Sequence, residues 1–212
     1  MYNNYSPNML KTYQACPKKF YYQYIEKISM PKSSLPFEKG KKIHALANYS
    51  LQKIKIDRLK TALTKEEAII WQKLLNNPYY NKDCLKSEFP LMIKLEKYWV
   101  GGRIDAVVFE GDNYYILDYK TGSTPKNAQY DFQTMVYLMC MDKYLKNYSE
   151  LSFVYIDLKN DKNEVIKFNR EKQSEYETKI VEACQTIEKD TLYKCNPQNC
   201  NFCEYSKICT QN

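Results

Sequence analysis

The spacing of apolar and polar positions changes along the chain, and the changes mark its elements. Ser6-Pro7 is a helix opening, a capping hydroxyl followed by proline at the first helical position, so a helix is predicted to about residue 15. Pro17 restarts a second helix over 18–28, rich in Phe20, Tyr21, Tyr22 and Tyr24, and a proline-containing link follows at 31–36. Residues 39–54 and 65–75 read as helices. The latter opens on Thr64 with Glu67 three residues on, a capping box. The pattern then turns to β over 88–95, 99–109 and 114–119. Residues 126–144 return to a helical pattern, 151–158 and 164–168 form a hairpin around Asp161-Lys162, and a long helix over 171–193 leads into the tail. Helices, a strand block, a helix, two strands and a helix predict an α/β fold with a central mixed sheet flanked by helices.

The chain has 212 residues, enough for one compact domain with a core of its own. No run of 18 apolar residues is present, so no membrane span is expected, and residues 1–13 lack the apolar centre of a signal peptide; a cytoplasmic location is the expectation. The net charge is +7, and lysine supplies nearly all of it, because Arg58, Arg103 and Arg170 are the only arginines. Such a surface suits salt-sensitive attraction to phosphates more than base-specific reading. Among 21 tyrosines and 8 phenylalanines, some could stack on unpaired bases while most build the core.

Gly111-Asp112, between two β-prone runs, is a tight-turn signal. A hairpin symmetric about it sets Glu110 against Asn113 and Asp105 against Asp118, with both carboxylates on one side of the sheet, about 5 Å apart at Cβ. Alternation places Lys120 on that side too. Facing like charges destabilise a strand pair unless a cation lies between them, and hard oxygen donors with room for water suit Mg²⁺ or Mn²⁺.

Eight cysteines in a cytosolic chain argue against structural disulfides. Cys84, Cys140 and Cys184 are single and read as inert. Cys200-x2-Cys203-x5-Cys209 is a metal-site pattern for zinc or an iron–sulfur cluster. The fourth thiolate comes from Cys195 or from Cys16, and the spacing leaves both open.

Asp105 followed by Asp118-Tyr119-Lys120 resembles the PD-(D/E)XK nuclease core, and more narrowly the RecB-type nuclease domains. Gly40-Lys41-Lys42-Ile43-His44 is similar to that subgroup's glycine-x-x-x-histidine helix, and Glu88 to the acidic residue before the hairpin. Gly102-Arg103-Ile104-Asp105 is similar to its approach to the first aspartate, and Gln133 and Tyr137 to its glutamine-x-x-x-tyrosine helix. The resemblance implies a single nuclease domain over 1–212, with a core at about 37–193 and an iron–sulfur lobe from about 1–30 and 194–212. It implies His44, Asp105, Asp118 and the Tyr119 carbonyl as ligands of Mg²⁺ or Mn²⁺, and Asp105, Asp118, Lys120, Glu88, Gln133 and Tyr137 as the catalytic set. Relatives that carry a 4Fe–4S cluster have one cysteine before the core and three after it, which favours Cys16, Cys200, Cys203 and Cys209 and leaves Cys195 spare. The implied activity is exonucleolytic hydrolysis of DNA, at single-stranded ends, in CRISPR spacer acquisition beside an integrase or in recombination and repair beside a helicase. The alternatives are a non-catalytic iron–sulfur DNA-binding module, which predicts gaps in the catalytic set, and a ferredoxin-like electron carrier, which leaves the hairpin without a purpose.

Overall fold

Local chemistry sets the N-terminal elements. In a computed structural model that describes residues 4–30 and 35–209, Asn4–Tyr5 is a short strand (β1) and Pro7–Ala15 the first helix (α1). The Ser6 hydroxyl caps α1 by accepting from the Met9 N–H at 3.2 Å. Because a residue before proline is driven out of the helical region, Cys16 is extended (φ −163°, ψ 111°) and breaks the chain between α1 and Pro17–Phe20 (α2). After α2 the backbone widens into a π-helical turn, Tyr21–Ile25, and Lys27 at φ +55° closes it. The second helix is therefore shorter than its periodicity predicts. Of the link expected at 31–36, residues 31–34 lie outside the described residues, and 35–36 belong to the helix Leu35–Leu51 (α3). A short helix that the pattern does not announce, Asp57–Thr61 (α4), precedes Lys65–Leu75 (α5), whose Thr64–Glu67 capping box is complete.

Four of the remaining elements are β2 (Asp83–Leu95), β3 (Tyr98–Glu110), β4 (Asn113–Lys120) and the helix α6 (Phe132–Leu145). They are followed by β5 (Glu150–Asp157), β6 (Lys162–Lys167) and α7 (Gln173–Lys189). Among the described residues the sheet has six strands. Its path is β1-β3-β4-β5-β6, with β2 along the other edge of β3. β4 and β5 run parallel, joined through α6, while the hairpin pairs are antiparallel, so the sheet is mixed as expected. The β3–β4 register is the predicted one, Glu110 opposite Asn113 through Ala106 opposite Leu117, with Gly111 at φ +59° in the turn. β1 pairs Asn4 and Tyr5 with Trp99 and Val100, on the same edge of β3 that β4 uses farther along.

Alternate residues of β4 and β5 serve two cores. Ile116, Phe153 and Tyr155 pack beneath α6, α1 and α7; Leu117, Val154 and Ile156 pack against α3 and α5. Burial on both faces is what a parallel pair covered by helices requires. α6 starts at Asp131, whose carboxylate caps the Gln133 N–H, five residues later than the periodicity suggests. α7 stops at Lys189 because Asp190 accepts the N–H groups of Leu192 and Tyr193 in a turn of its own.

The two ends of the chain meet. The break at Cys16 leaves the Ala15 carbonyl without a helical donor, and the side-chain amides of Asn196 and Asn199 bond it at 3.0 and 2.6 Å. Tyr205 stacks on Tyr22 and bonds the Ile28 carbonyl at 2.9 Å. Tyr13 bonds Asp190 at 2.7 Å. No helix among the described residues is long and apolar enough to cross a membrane.

Candidate active site

Strand alternation fails where the first aspartate stands. Ile104 lies in the core under α6, while Ala106, two residues on, lies in the core under α3. Its partner strand does the same. Phe89 packs toward α6, and Ser87 bonds Asn48 of α3 at 2.7 Å. Between them Glu88 takes φ +48°, a left-handed conformation unusual for a side chain of its kind. Both strands thus turn over at the level of Glu88 and Asp105, and the β3–β4 ladder ends one pair short of the aspartates. The simple facing-pair picture holds up to Ala106–Leu117 and then gives way to a fork.

At the fork the Asp105 carboxylate replaces a backbone acceptor, taking the Tyr119 N–H at 3.3 Å. His44 of α3 closes the opening. Its Nδ1 is 3.3 Å from Asp105 Oδ2, and its Nε2 is 2.9 Å from the Tyr119 carbonyl. Burial disfavours the charged ring, but the hydrogen bond and charge of Asp105 and the charge of Asp118 outweigh it, and the imidazole is raised above its ordinary value. Asp118, 4% exposed, is held from α6. Gln133 Nε2 donates to its Oδ1 at 2.6 Å. Its Oδ2 is 2.7 Å from the Lys120 ammonium, off the line of a hydrogen bond. Burial pushes its carboxyl up, Lys120 opposes this, Asp105 adds to it, and the result is raised.

The helix behind the site is itself anchored. Asp131, at the head of α6, receives the Lys11 ammonium at 2.9 Å and the Tyr155 hydroxyl at 3.3 Å. One turn past Gln133, Tyr137 donates to the Arg103 carbonyl at 3.0 Å, satisfying β3 where neither β1 nor β4 pairs with it. A Cβ at Gly102 would stand 2.7 Å from the Tyr137 hydroxyl. Gly102→Ala is therefore expected to displace Tyr137 at a cost of about 1–3 kcal/mol, whereas Tyr137→Phe loses one hydrogen bond, about 1 kcal/mol. Denaturant melts compare the two. Equal stability of Gly102→Ala and the parent chain would show that the contact is not tight.

Glu88 is placed beside this group but not joined to it. Its carboxylate pairs with Arg103 at 3.3 Å. Glu88, Arg103 and Pro90 share a cleft of about 740 Å³ with His44, Gly40, Asn48 and Thr121. Pro90, Asn48 and Thr121 join the site through the fold. Asn48 is one helical turn past His44 and Thr121 directly follows Lys120, and those offsets are the signals that mark them.

The donors at the fork are two carboxylates, a carbonyl and an imidazole, a hard set whose chemistry fits a divalent cation. Elsewhere, Cys16, Cys195, Cys200, Cys203 and Cys209 all line one cavity of about 210 Å³ between the chain ends. Cys195 Sγ lies 3.5 Å from Cys200 Sγ and 3.9 Å from Cys209 Sγ, and the Asn196 N–H donates to Cys16 Sγ at 3.4 Å. Burial and the adjoining thiols push Cys195 up to about 12. Among the described residues no three His, Cys, Asp or Glu side chains close on one point at ion-ligand distance, neither these thiols nor His44, Asp105 and Asp118 at the fork. The five thiols line their cavity together, a soft donor set common to zinc sites and iron–sulfur clusters. Cys140 and Cys184 are buried in the core, with thiols pushed up to about 12, as expected of inert cysteines.

A mixed sheet with a forked hairpin, an Asp-x-Lys on the inner strand and a glutamine-bearing helix beneath it is the arrangement of one nuclease class. The sequence profile of the PD-(D/E)XK nuclease superfamily matches residues 4–210, and the chain belongs to that superfamily. It is 22% identical over 204 residues to the CRISPR-associated exonuclease Cas4 of Francisella tularensis subsp. novicida (strain U112), covering 95% of this chain and 91% of that protein. Its fold is similar to the crystal structure of a putative exonuclease from Eubacterium rectale, at a TM-score of 0.62 and 11% identity, over 98% of this chain and 88% of the other.

Proposed function

We propose that this chain is a Mg²⁺- or Mn²⁺-dependent deoxyribonuclease that degrades DNA from single-stranded ends. The observation that carries the reading is the fork itself, where Asp105, His44 and the Tyr119 carbonyl meet beside Asp118 and Lys120. His44, Asp105, Asp118 and the Tyr119 carbonyl are the residues to hold the ion. Bound there, it supplies Lewis acidity and a water of lowered pKa. Lys120 orients the attacking water and offsets charge on the phosphate. Gln133 fixes the rotamer of Asp118, and Tyr137 fixes the strand that carries Asp105. Glu88 holds Arg103 at the cleft mouth. The full catalytic set is present, which a non-catalytic DNA-binding module does not require. The cysteine cavity is assigned to a 4Fe–4S cluster on Cys16, Cys200, Cys203 and Cys209, with a structural role. The likeness to a CRISPR-associated exonuclease supports spacer acquisition, beside an integrase, over repair beside a helicase.

The experiment is incubation of anaerobically purified protein with end-labelled single and double strands, with and without Mn²⁺. Metal-dependent shortening of the single strand from an end is expected. No cleavage of either strand in Mn²⁺ would contradict the reading.

The site's electrostatics fix the sign of its pH dependence. Asp118 and His44 both have raised values, and both bind a cation only when deprotonated. Mn²⁺ affinity therefore rises with pH, and most of the rise lies above the ordinary imidazole value, because the raised ring keeps its proton beyond it. Titration calorimetry at three pH values checks this; a flat affinity across them is the opposing result.

A further inference from the structure

One face of the β2–β3 hairpin is packed and the other is open. Leu91, Ile93, Leu95, Tyr98, Val100 and Ile104 face the core under α6. The alternate residues Pro90, Met92 and Lys94 of β2 and Trp99 and Arg103 of β3 are exposed. They pair in rows, Lys94 with Trp99, Met92 with Gly101 and Pro90 with Arg103. Trp99 is 45% exposed and Met92 50%, whereas the second tryptophan, Trp71, is 4% exposed in the core.

Single apolar side chains on a surface are ordinary, but this row has a direction. Its inner end, Pro90 and Arg103, lines the same cleft as His44, two residues from Asp105. Its outer end is Trp99, six residues along β3 from Asp105, about 20 Å of extended strand. Cations flank it along the way. Arg103 is 68% exposed, and its ion pair with Glu88 is of the exposed kind that contributes little and that a phosphate can displace. Lys94 stands directly opposite the indole.

We propose that this face is the path of single-stranded DNA to the aspartates, with Trp99 stacking on an unpaired base, Lys94 receiving a phosphate beside it and Arg103 receiving one between Trp99 and the fork. An indole platform needs a free base face, which a single strand offers and a duplex hides. The direction of travel rests on the nuclease reading above; the binding does not, so the two are separable. The face joins the candidate active cleft without interruption, and its charge is complementary to a polyanion.

Because Trp71 is buried, Trp99 is the tryptophan that dissolved DNA can reach. The test follows intrinsic tryptophan fluorescence of the full chain without divalent metal, so that nothing is cut, during titration with oligothymidylate and with an abasic strand of equal length. Oligothymidylate is expected to quench the emission. Trp99→Phe should lose the quenching and keep most of the affinity. Trp99→Ala should bind oligothymidylate about 10-fold more weakly and no longer prefer it to the abasic strand. Arg103→Ala should lower the salt slope of binding by about 0.7. Equal affinity of the parent chain for both strands, or an affinity of Trp99→Ala within twofold of the parent, overturns the proposal. Quenching by a chain that fails to cut DNA in Mn²⁺ sinks the nuclease reading and leaves the path standing. Cutting without quenching, undiminished in Trp99→Ala, does the reverse.

Discussion

Asp118→Asn is expected to lower metal-dependent cleavage by at least about 100-fold and at the same time to raise the melting temperature of the metal-free protein. The carboxylate is buried, and its raised pKa means that the folded state binds its proton more tightly than the unfolded state does. Such a group costs stability as pH rises from the ordinary aspartate value through the raised one, and the full cost is present above the raised value. Asparagine keeps the volume and leaves an oxygen for Gln133 to donate to, without the charge. Lys120, 26% exposed, can turn to solvent when its partner is neutral. A rise in melting temperature is expected at pH values above the raised one, shrinking toward acid pH. Activity falls by at least about 100-fold, the usual cost of losing one charged group at a reacting centre. A variant that is both inactive and less stable at those pH values would mean that Asp118 supports the fold rather than the chemistry. Opposed effects on stability and function are the mark of a site kept under electrostatic strain.

If the cavity between the chain ends holds the proposed 4Fe–4S cluster, the anaerobically purified protein is brown, and Cys16→Ala is expected to remove that colour and to lower the melting temperature by roughly 10–20 °C. Cys16 stands at the break between α1 and α2, and the other cysteines of its cavity follow residue 194. Tying these points together closes nearly the whole chain into a loop. By analogy with a disulfide, that constraint on the unfolded state amounts to about 4–5 kcal/mol. The hydrogen bonds from Asn196 and Asn199 to Ala15 and the Tyr22–Tyr205 stack hold the same seam, and they are too few and too exposed to replace it. Cys84→Ala, outside the cavity, should leave the spectrum intact. Cys195→Ala decides the ligand set. If it bleaches the protein while Cys16→Ala does not, the fourth thiolate is Cys195, whose Sγ is already within 4 Å of two others.

Strong local signals survived folding. Ser6-Pro7 opens α1, Thr64 and Glu67 box the start of α5, and Gly111-Asp112 centres the β3–β4 hairpin. Each depends on atoms a few residues apart, so neighbours in sequence suffice to specify it. The features that escaped depend on distant partners. β1 is two residues long and exists because Trp99 and Val100 offer an edge. Asp131 takes the start of α6 because Lys11 and Tyr155 hold its carboxylate in place. The turnover at Glu88 and Asp105 puts a glutamate in a left-handed conformation that no propensity favours. At the site, the order of Asp105, Asp118 and Lys120 was visible in the sequence, and so was the helical spacing of Gln133 and Tyr137. That His44 bridges Asp105 and the Tyr119 carbonyl was not legible from residues alone, since α3 and β4 meet only through the fold. The same holds for the neighbourhood of Cys195, which spacing shows near Cys200 in the chain but not beside Cys209 across the cavity.

The most direct test of the central claim is the spin-resonance signal of Mn²⁺ titrated into the protein, because it reports the ion without needing a substrate. The parent chain should quench the signal of added Mn²⁺ until its site is filled, and the double variant Asp105→Ala/Asp118→Asn, folded by its melting curve, should leave the signal at the level of buffer. Equal uptake by both proteins would place any bound ion elsewhere and contradict the account.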